Sequence, residues 1–319
     1  MKKLTAVAAM AILIAAAITV VSCKGKKTGT GTSASKEDSL TNLIARGEYL
    51  ANHVSLCIDC HSTRDTGKFS MPVVPGTEGG GAAFPFTRAE FVPGEVTPPN
   101  ITPAGLKDWT DDDLIKAITR GINKKGDTIF PIMPYHSYSR MAKSDILAIV
   151  AYIRSLKPID HTVPARRLEV PVSMFGPVPD GNLEHNILPD PADKVKYGQY
   201  LVTAAACADC HTPMGPQGPD FTRIFSGGNV FDIPGLFKVA VANITPDSAT
   251  GIGTWTEAMF VSKFRNNASD ATLKTHPGKQ NTIMPWSMYG KMKEDDLKAV
   301  YAFLRTVKPL TNKVEKYPK

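Results

Sequence analysis

The chain has 319 residues, more than one domain usually contains, so two domains with additional segments are expected. Hydrophobic residues make up 42% and charged residues 21%, which is ordinary for a globular protein. The formal net charge of +7 is modest and carries no signature of a dense basic face, so binding to nucleic acid is not indicated. The 25 glycines and 25 prolines favour small domains with long irregular loops.

The N-terminal sequence is typical of an export signal. Lys2 and Lys3 form a positively charged start, and an apolar stretch follows from Leu4 to Val21. Ser22-Cys23 then resembles the point at which a bacterial lipoprotein signal is cleaved and the cysteine is lipidated. The alternative is a permanent transmembrane anchor, since the apolar stretch is near the lower length limit for spanning a bilayer. Both interpretations export the rest of the chain, and we predict a membrane-anchored lipoprotein on the periplasmic side.

A short motif that binds a prosthetic group occurs twice, as Cys57-Ile-Asp-Cys60-His61 and as Cys207-Ala-Asp-Cys210-His211. A C-x-x-C-H sequence is typical of covalent attachment of a c-type haem. On a helix, positions i, i+3 and i+4 lie on one face, so the two thiols and the imidazole of each motif face the same group. The thiols can bond to the haem vinyl groups while His61 and His211 bind the iron. We therefore predict two covalently bound haem c groups.

Two other interpretations of the C-x-x-C spacing are a zinc site and a redox-active pair. A structural zinc ion usually takes four protein ligands, with further Cys or His residues at short range. A thioredoxin-like pair is expected near a βαβ pattern. The chain has neither feature, and four of its five cysteines are used by the two motifs.

The first unit is predicted to be helical with a long loop region. A helix is expected from about 42 to 60, followed by a Gly/Pro-rich region from about 63 to 103. A second helix is expected to begin after Thr110 as N-cap and to end at Gly121. A terminal helix over 143–156 has apolar residues at helical spacing and a proline just beyond its end.

The rest of the chain repeats this order after a proline-rich linker. Asn243-Ile-Thr-Pro246 corresponds to Asn100-Ile-Thr-Pro103, and a second terminal helix ends before Pro309. This duplication predicts an all-α protein of two tandem cytochrome c domains, each large enough to hold a core around its haem. The predicted segments are a signal peptide (1–22), a flexible tether (23–42), domain 1 (43–157), the linker (158–193), domain 2 (194–310) and a C-terminal tail (311–319).

The second axial position of each haem decides its chemistry, because a methionine thioether favours electron transfer and an open position favours ligand binding. Two methionine pairs are each separated by 151 positions: Met133 with Met284, and Met141 with Met292. Met133 and Met284 each precede a proline in a loop that can cross the haem face. Met141 and Met292 directly precede the terminal helices, where core packing is expected. We predict Met133 and Met284 as the ligands, with the other pair as the alternative.

These motifs together resemble the dihaem c-type cytochromes that serve as electron-accepting subunits of membrane-bound alcohol, aldehyde and gluconate dehydrogenases. The resemblance lies in the haem motifs, the Met-Pro pairs at 133 and 284, and Asn243-Ile-Thr-Pro-Asp247 followed by Thr250-Gly-Ile-Gly253-Thr-Trp255. It implies a cytochrome c fold in each unit, His–Met ligation, and electron transfer toward a quinone or a terminal oxidase. Many members of that family carry three haems, whereas this sequence carries two motifs.

Three functions are compatible with two haem sites. The first is an exported, anchored electron carrier without catalytic residues of its own, whose partners are a dehydrogenase and a quinol- or oxidase-linked complex. The second is a dihaem oxidoreductase, such as a peroxidase or a sulfur-compound oxidase, in which one haem keeps an open position. The third, a haem-based sensor, has the least support. The matched methionine pair favours the carrier.

Overall fold

The computed structural model describes residues 34–88, 91–216 and 218–319. The predicted signal peptide, Cys23 and most of the predicted tether lie outside these residues. Ser39–Lys319 form one compact unit. Among the described residues, no helix combines the length and apolar character needed to cross a membrane.

The protein is mostly α-helical, as predicted, and its strands are short. The helices of the described chain are α1 (Ala34–His53), α2 (Cys57–Cys60), α3 (Asp111–Arg120), α4 (Tyr135–Tyr138), α5 (Lys143–Ser155), α6 (Lys194–Ala204), α7 (Cys207–His211), α8 (Glu257–Asn267), α9 (Asp270–Leu273), α10 (Trp286–Tyr289) and α11 (Glu294–Leu304). The strands form three antiparallel pairs: β1 (Gly94–Glu95) with β2 (Arg167–Leu168), β3 (Met214–Gly215) with β4 (Gly218–Pro219), and β5 (Val230–Ile233) with β6 (Phe237–Ala240).

The prediction of one continuous helix over 42–60 was wrong. Helix α1 ends at His53, and α2 starts separately at Cys57. Leu56 between them has a φ of 54°, in the left-handed region that a continuous α-helix cannot contain. Ala206 has a φ of 50° at the corresponding point before α7. The break is therefore a repeated feature that re-aims each cysteine motif relative to the preceding helix.

Both helix starts predicted by capping chemistry are confirmed. The Thr110 hydroxyl accepts a hydrogen bond from the amide of Asp113 at 3.1 Å, and the Asp113 carboxylate accepts one from the Thr110 amide at 2.9 Å. Gly121 ends α3 with a φ of 63°. Thr256 caps α8 through the amide of Met259 at 3.2 Å.

Each half of the chain contains a helix pair that crosses at a glycine. A Cβ atom on Gly47 of α1 would lie 1.8 Å from the carbonyl oxygen of Ala148 in α5. A Cβ atom on Gly198 of α6 would lie 1.9 Å from the carbonyl oxygen of Ala299 in α11. Any side chain at these points would force the helices apart, so only glycine permits the two backbones to touch.

The two halves contact one another through reciprocal pairs. The Tyr49 hydroxyl donates to the buried carboxylate of Asp296 at 2.5 Å, and the Tyr200 hydroxyl donates to the buried carboxylate of Asp145 at 2.6 Å. Both the tyrosines and the aspartates are separated by 151 positions. Each half therefore offers the same donor and the same acceptor to the other, as in an interface of two-fold symmetry.

One arginine breaks this symmetry. Arg46 donates to both carboxylate oxygens of Asp145, at 2.9 and 2.7 Å. The corresponding position of the second half is Tyr197, which cannot form such a pair. Asp145 therefore has two side-chain partners where Asp296 has one among the described residues.

The linker is ordered along the first half. Its strand β2 pairs with β1, with Gly94 opposite Leu168 and Glu95 opposite Arg167. A single 3-10 turn follows at Val172–Phe175. The linker thus contributes a strand to the loop region of the first half.

Candidate haem-binding sites

The two cysteine motifs lie on α2 and α7, the short helices that follow α1 and α6. Cys57 and Cys60 begin and end α2, and His61 directly follows it. In the second half, α7 contains Cys207, Cys210 and His211. The predicted placement of two thiols and an imidazole on one helical turn is therefore observed in both halves.

Each motif histidine is oriented by a backbone carbonyl. Nδ1 of His61 lies 2.7 Å from the carbonyl oxygen of Pro99, and Nδ1 of His211 lies 2.8 Å from that of Ala242. Nδ1 must donate in these contacts, because a carbonyl oxygen only accepts. This tautomer leaves Nε2 as a lone pair, which is the form in which imidazole binds iron, with its other nitrogen held by a second partner.

The Asn-Ile-Thr-Pro motifs hold these carbonyls in place. The side-chain oxygen of Asn100 accepts from the amide and the hydroxyl of Thr102 at 2.9 and 2.7 Å, and its side-chain nitrogen donates to the carbonyl of Ile159 at 2.7 Å. These bonds anchor the residue that follows Pro99 to the chain beyond the terminal helix. The sequence marked the motif only as a family signature; its repetition was the signal that it has a structural task.

The second motif uses the same bonds. Asn243 accepts from the amide and hydroxyl of Thr245 at 2.9 and 2.8 Å and donates to the carbonyl of Leu310 at 2.7 Å. Its preceding residue, Ala242, supplies the carbonyl that orients His211. The proximal side of both sites is therefore built in the same way.

The motif thiols are suited to covalent attachment and not to disulfide exchange. All four motif cysteines are free. Burial raises the pKa of Cys57 and of Cys207 to about 12, so both remain neutral thiols at pH 7. A reactive C-x-x-C pair requires a lowered thiol pKa. The redox-pair interpretation therefore loses its chemical basis.

The two methionine pairs differ in their surroundings. Met141 and Met292 are 0% and 2% exposed, and the sulfur of Met141 accepts a hydrogen bond from the Ser55 hydroxyl at 3.6 Å. Both belong to the core around α5 and α11. Met133 and Met284 are only partly buried and lie at the edge of the same core. The second pair is therefore the one with a side chain available to a ligand beside the core.

Two tyrosines connect the motifs of the two halves. Burial raises the pKa of Tyr138 well above its usual range, and the nearby Cys57, Cys60 and Asp209 raise it further. Asp209 belongs to the motif of the other half. Tyr138 donates its hydroxyl hydrogen to the carbonyl of Ser55. The tyrosine is thus fixed between its own cysteines and the opposite motif.

Tyr289 has the matching position in the second half. Its hydroxyl donates to the carbonyl of Ala205 at 2.6 Å. Burial raises its pKa most, followed by Cys207, Tyr138, Cys210 and Asp59. Because Asp59 lies in the first motif, the two motifs approach one another at the interface of the halves. Sequence reasoning missed both tyrosines, although their separation of 151 positions marks them as a pair.

Comparison with known proteins agrees with this geometry. The family model described as cytochrome c matches residues 195–308. Residues 195–308 form a cytochrome c domain. A cytochrome c domain implies covalently bound haem c, and its segment here contains Cys207, Cys210 and His211 with the donor set described above.

The similar proteins are cytochrome c subunits. The cytochrome c subunit of a quinone-dependent alcohol dehydrogenase from Gluconobacter oxydans is 28% identical, over 86% of this chain and 57% of its own length. The cytochrome c subunit of gluconate 2-dehydrogenase from Pantoea cypripedii is 27% identical, over 88% of this chain and 63% of its own. A dihaem c-type cytochrome from Cereibacter sphaeroides is 27% identical, over 65% of this chain and 69% of its own.

The resemblance inferred from the motifs is confirmed by these relatives. They are named as cytochrome c subunits and not as the dehydrogenase subunits that carry the catalysis. The chain spans about 57% to 63% of the length of the two dehydrogenase cytochrome c subunits.

Proposed function

We propose that the protein is an exported, membrane-anchored dihaem cytochrome c that carries electrons between a dehydrogenase or membrane complex and a downstream acceptor. The observation that carries this proposal is the duplicated proximal geometry. His61 and His211 are each held through Nδ1 by a carbonyl, at 2.7 and 2.8 Å. Two sites built alike in one compact unit favour conduction over a division into one closed and one reactive site.

The proposal includes two haem c groups, one in each of two tandem domains at 43–157 and 194–310. The cytochrome c model covers only the second of these segments. Support for the first comes from the repeated helix crossings at Gly47 and Gly198 and from the matching Asn-Ile-Thr-Pro bonds. The name of the relative from Cereibacter sphaeroides, a dihaem cytochrome, adds to this support.

Each residue of the sites has a proposed role. Cys57, Cys60, Cys207 and Cys210 attach the haem groups through thioether bonds. His61 and His211 ligate the iron on one side, while Met133 and Met284 ligate it on the other. A six-coordinate haem with His and Met ligands supplies reversible one-electron transfer at a raised potential. The partly buried methionines shield that side from water, and the carbonyl-bound histidines keep the ligand geometry fixed.

The closeness of the two motifs fits a carrier. Tyr138 and Tyr289 lie between the motifs, and each senses an aspartate of the opposite half. The reciprocal Tyr–Asp pairs then hold the two sites as one unit. A protein that conducts electrons requires such a fixed separation between its redox centres.

The proposed partner is a dehydrogenase, with a quinol- or oxidase-linked complex as acceptor. The similar proteins named above are cytochrome c subunits of alcohol and gluconate dehydrogenases. For the membrane, the N-terminal sequence before Cys23 supports a lipid anchor on the periplasmic side. A Cys23→Ser variant is expected to be released from the membrane fraction, and purification of the anchored protein from native membranes is expected to recover its dehydrogenase.

Haem ligation is tested by spectroscopy and redox titration of the purified protein. The ferric far-red band of methionine ligation should account for two haems per chain. Met133→Ala and Met284→Ala should each remove half of the band, lower one of two potentials and open one haem to cyanide. Met174→Ala, at a side chain that is 71% exposed, is the matched control and should change nothing.

Two results would contradict this assignment. Unchanged potentials in both variants would move the ligand role to Met141 and Met292. A wild-type protein in which only one haem shows the band, and the other binds cyanide or peroxide rapidly, would favour the dihaem oxidoreductase.

A further inference from the structure

A loop of the first half reaches across into the second half beside Met284. We call residues 65–71 the crossing loop. Its base is a small hairpin: Arg64 pairs with Val73, and the Asp65 amide donates to the carbonyl of Pro72 at 2.9 Å. The tip is therefore presented by a defined piece of backbone.

Hydrogen bonds from the second half fix the backbone of the crossing loop. The Phe69 amide donates to the carbonyl of Thr275 at 3.0 Å. The Asn281 side chain accepts from the Ser70 amide and donates to the carbonyl of Lys68, both at 2.9 Å. Asn281 is 2% exposed, so these bonds are protected from water.

Ser70 makes the contact that concerns the haem site. Its hydroxyl donates to the carbonyl oxygen of Met284 at 2.9 Å, and the residue is 1% exposed. The same carbonyl accepts the amide of Trp286 at 2.8 Å. Met284 is thus held from both sides of its backbone, once by its own half and once by the other.

The next residue anchors the loop by packing. Met71 is 3% exposed and belongs to a cluster with Phe231, Phe237 and Val239 of the β5–β6 hairpin, against which Ile283 also packs. Ser70 and Met71 have φ values of 64° and 47°. Two consecutive side-chain-bearing residues in the left-handed region require surrounding contacts that hold them there.

The first half has no matching arrangement among its described residues. The Met133 carbonyl accepts the amide of Tyr135 at 2.8 Å, and no side chain of the described second half donates to it. The segment that follows His211 forms the β3–β4 hairpin, and its described backbone hydrogen bonds stay within the second half. The contact from the opposite half therefore exists at one methionine only.

We propose that Ser70 is a positioning residue for the Met284 ligand, so that the first half controls how firmly the second haem keeps its methionine. This inference rests on the proposed ligation by Met284. It predicts that the two haems differ in ligand exchange: the second resists displacement of its methionine, and the first yields more readily.

Replacement of the Ser70 hydroxyl tests the proposal in the full-length dihaem protein. Ser70→Ala removes the hydroxyl, and Ser70→Gly removes it while suiting the positive φ better. Both variants should increase the rate of cyanide binding to one ferric haem by about threefold to tenfold, the effect of one neutral hydrogen bond on an opening equilibrium. The potential of that haem should fall and the other should keep its rate and potential. Met133→Ala and Met284→Ala identify which haem responds.

Ser226→Ala is the matched control. Ser226 is a fully buried serine of the second half whose hydroxyl has no described partner, and the corresponding residue of the first half is Gly80. This variant should keep both exchange rates. If Ser70→Ala does not fold, Ser70→Gly decides the result.

The outcomes separate the inference from the function on which it rests. Wild-type exchange at both haems in a folded Ser70 variant, or equal acceleration at both, would overturn the positioning role while leaving Met284 as a ligand. A Met284→Ala protein that retains the whole far-red band would instead overturn the ligation itself.

Discussion

The two halves of the molecule are alike on one side of their sites and different on the other. On the proximal side, both histidines donate to the residue before an Asn-Ile-Thr-Pro motif, and the bonds that hold this motif match closely. On the methionine side, the second half adds the β5–β6 hairpin and receives the crossing loop, whereas the first half receives the linker strand β2.

The difference teaches which parts of a duplicated haem site can diverge. Covalent attachment and histidine orientation require atoms at set distances, so both copies keep them. The methionine loop must only be held in place, and neighbouring segments from different parts of the chain can do this. Two chemically similar sites can therefore acquire different properties through their surroundings alone.

The largest expected effect tests the common framework. Gly47→Ala and Gly198→Ala should each lower the free energy of unfolding by about 3 kcal/mol, because the added methyl group meets a carbonyl oxygen of the crossing helix. Urea unfolding followed by circular dichroism measures both. Gly215→Ala, where the nearest atom would lie 3.4 Å away, is the control and should cost little. Clearly unequal costs at 47 and 198 would show that the two crossings are not equivalent.

The reciprocal interface should respond unequally. Tyr49→Phe should cost about 2 kcal/mol, because Asp296 is buried and loses its described side-chain donor. Tyr200→Phe should cost about 1 kcal/mol, since Asp145 keeps both bonds from Arg46. Denaturant midpoints compare the two variants. Equal losses would mean that Arg46 does not compensate, and removing Arg46 together with Tyr200 should then add nothing.

The helix caps predict a smaller difference. Thr110→Ala should cost about 1.5 kcal/mol, because the full capping box of α3 is lost, and Thr256→Ala about 0.7 kcal/mol, because α8 has only one cap bond. Thermal unfolding provides the comparison. In an Asp113→Ala background the Thr110 cost should fall to that of Thr256; a larger cost at Thr256 would contradict the ranking.

The smallest effect concerns pH and belongs to the first half. Burial lowers the pKa of His53, helped by the charge of Lys291 and opposed by Glu48. Because the unfolded chain takes up the proton first, stability should be complete above about pH 6.5 and should decline as the pH falls below it. The counterpart in the second half is Ala204, so His53→Ala should flatten the decline in urea titrations at several pH values. An unchanged slope would assign the dependence to other groups.

Local patterns were sufficient for much of the fold. Thr110 and Gly121 bound α3 as predicted, and the terminal helix over 143–156 appears as α5 at Lys143–Ser155. The continuous helix over 42–60 failed, because nothing in the type of residue at Leu56 indicates a left-handed backbone. The haem ligands themselves and the lipid anchor at Cys23 remain predictions.

The sequence by itself determined the two cysteine motifs, the duplication and the candidate methionines, because each depends on residue types at set spacings. The tertiary structure alone decided which carbonyls orient the histidines, how Tyr49 and Tyr200 exchange partners, and that Ser70 holds Met284. The physical reason is distance along the chain: Ser70 and Met284 are separated by 214 positions, and no local periodicity or propensity connects them.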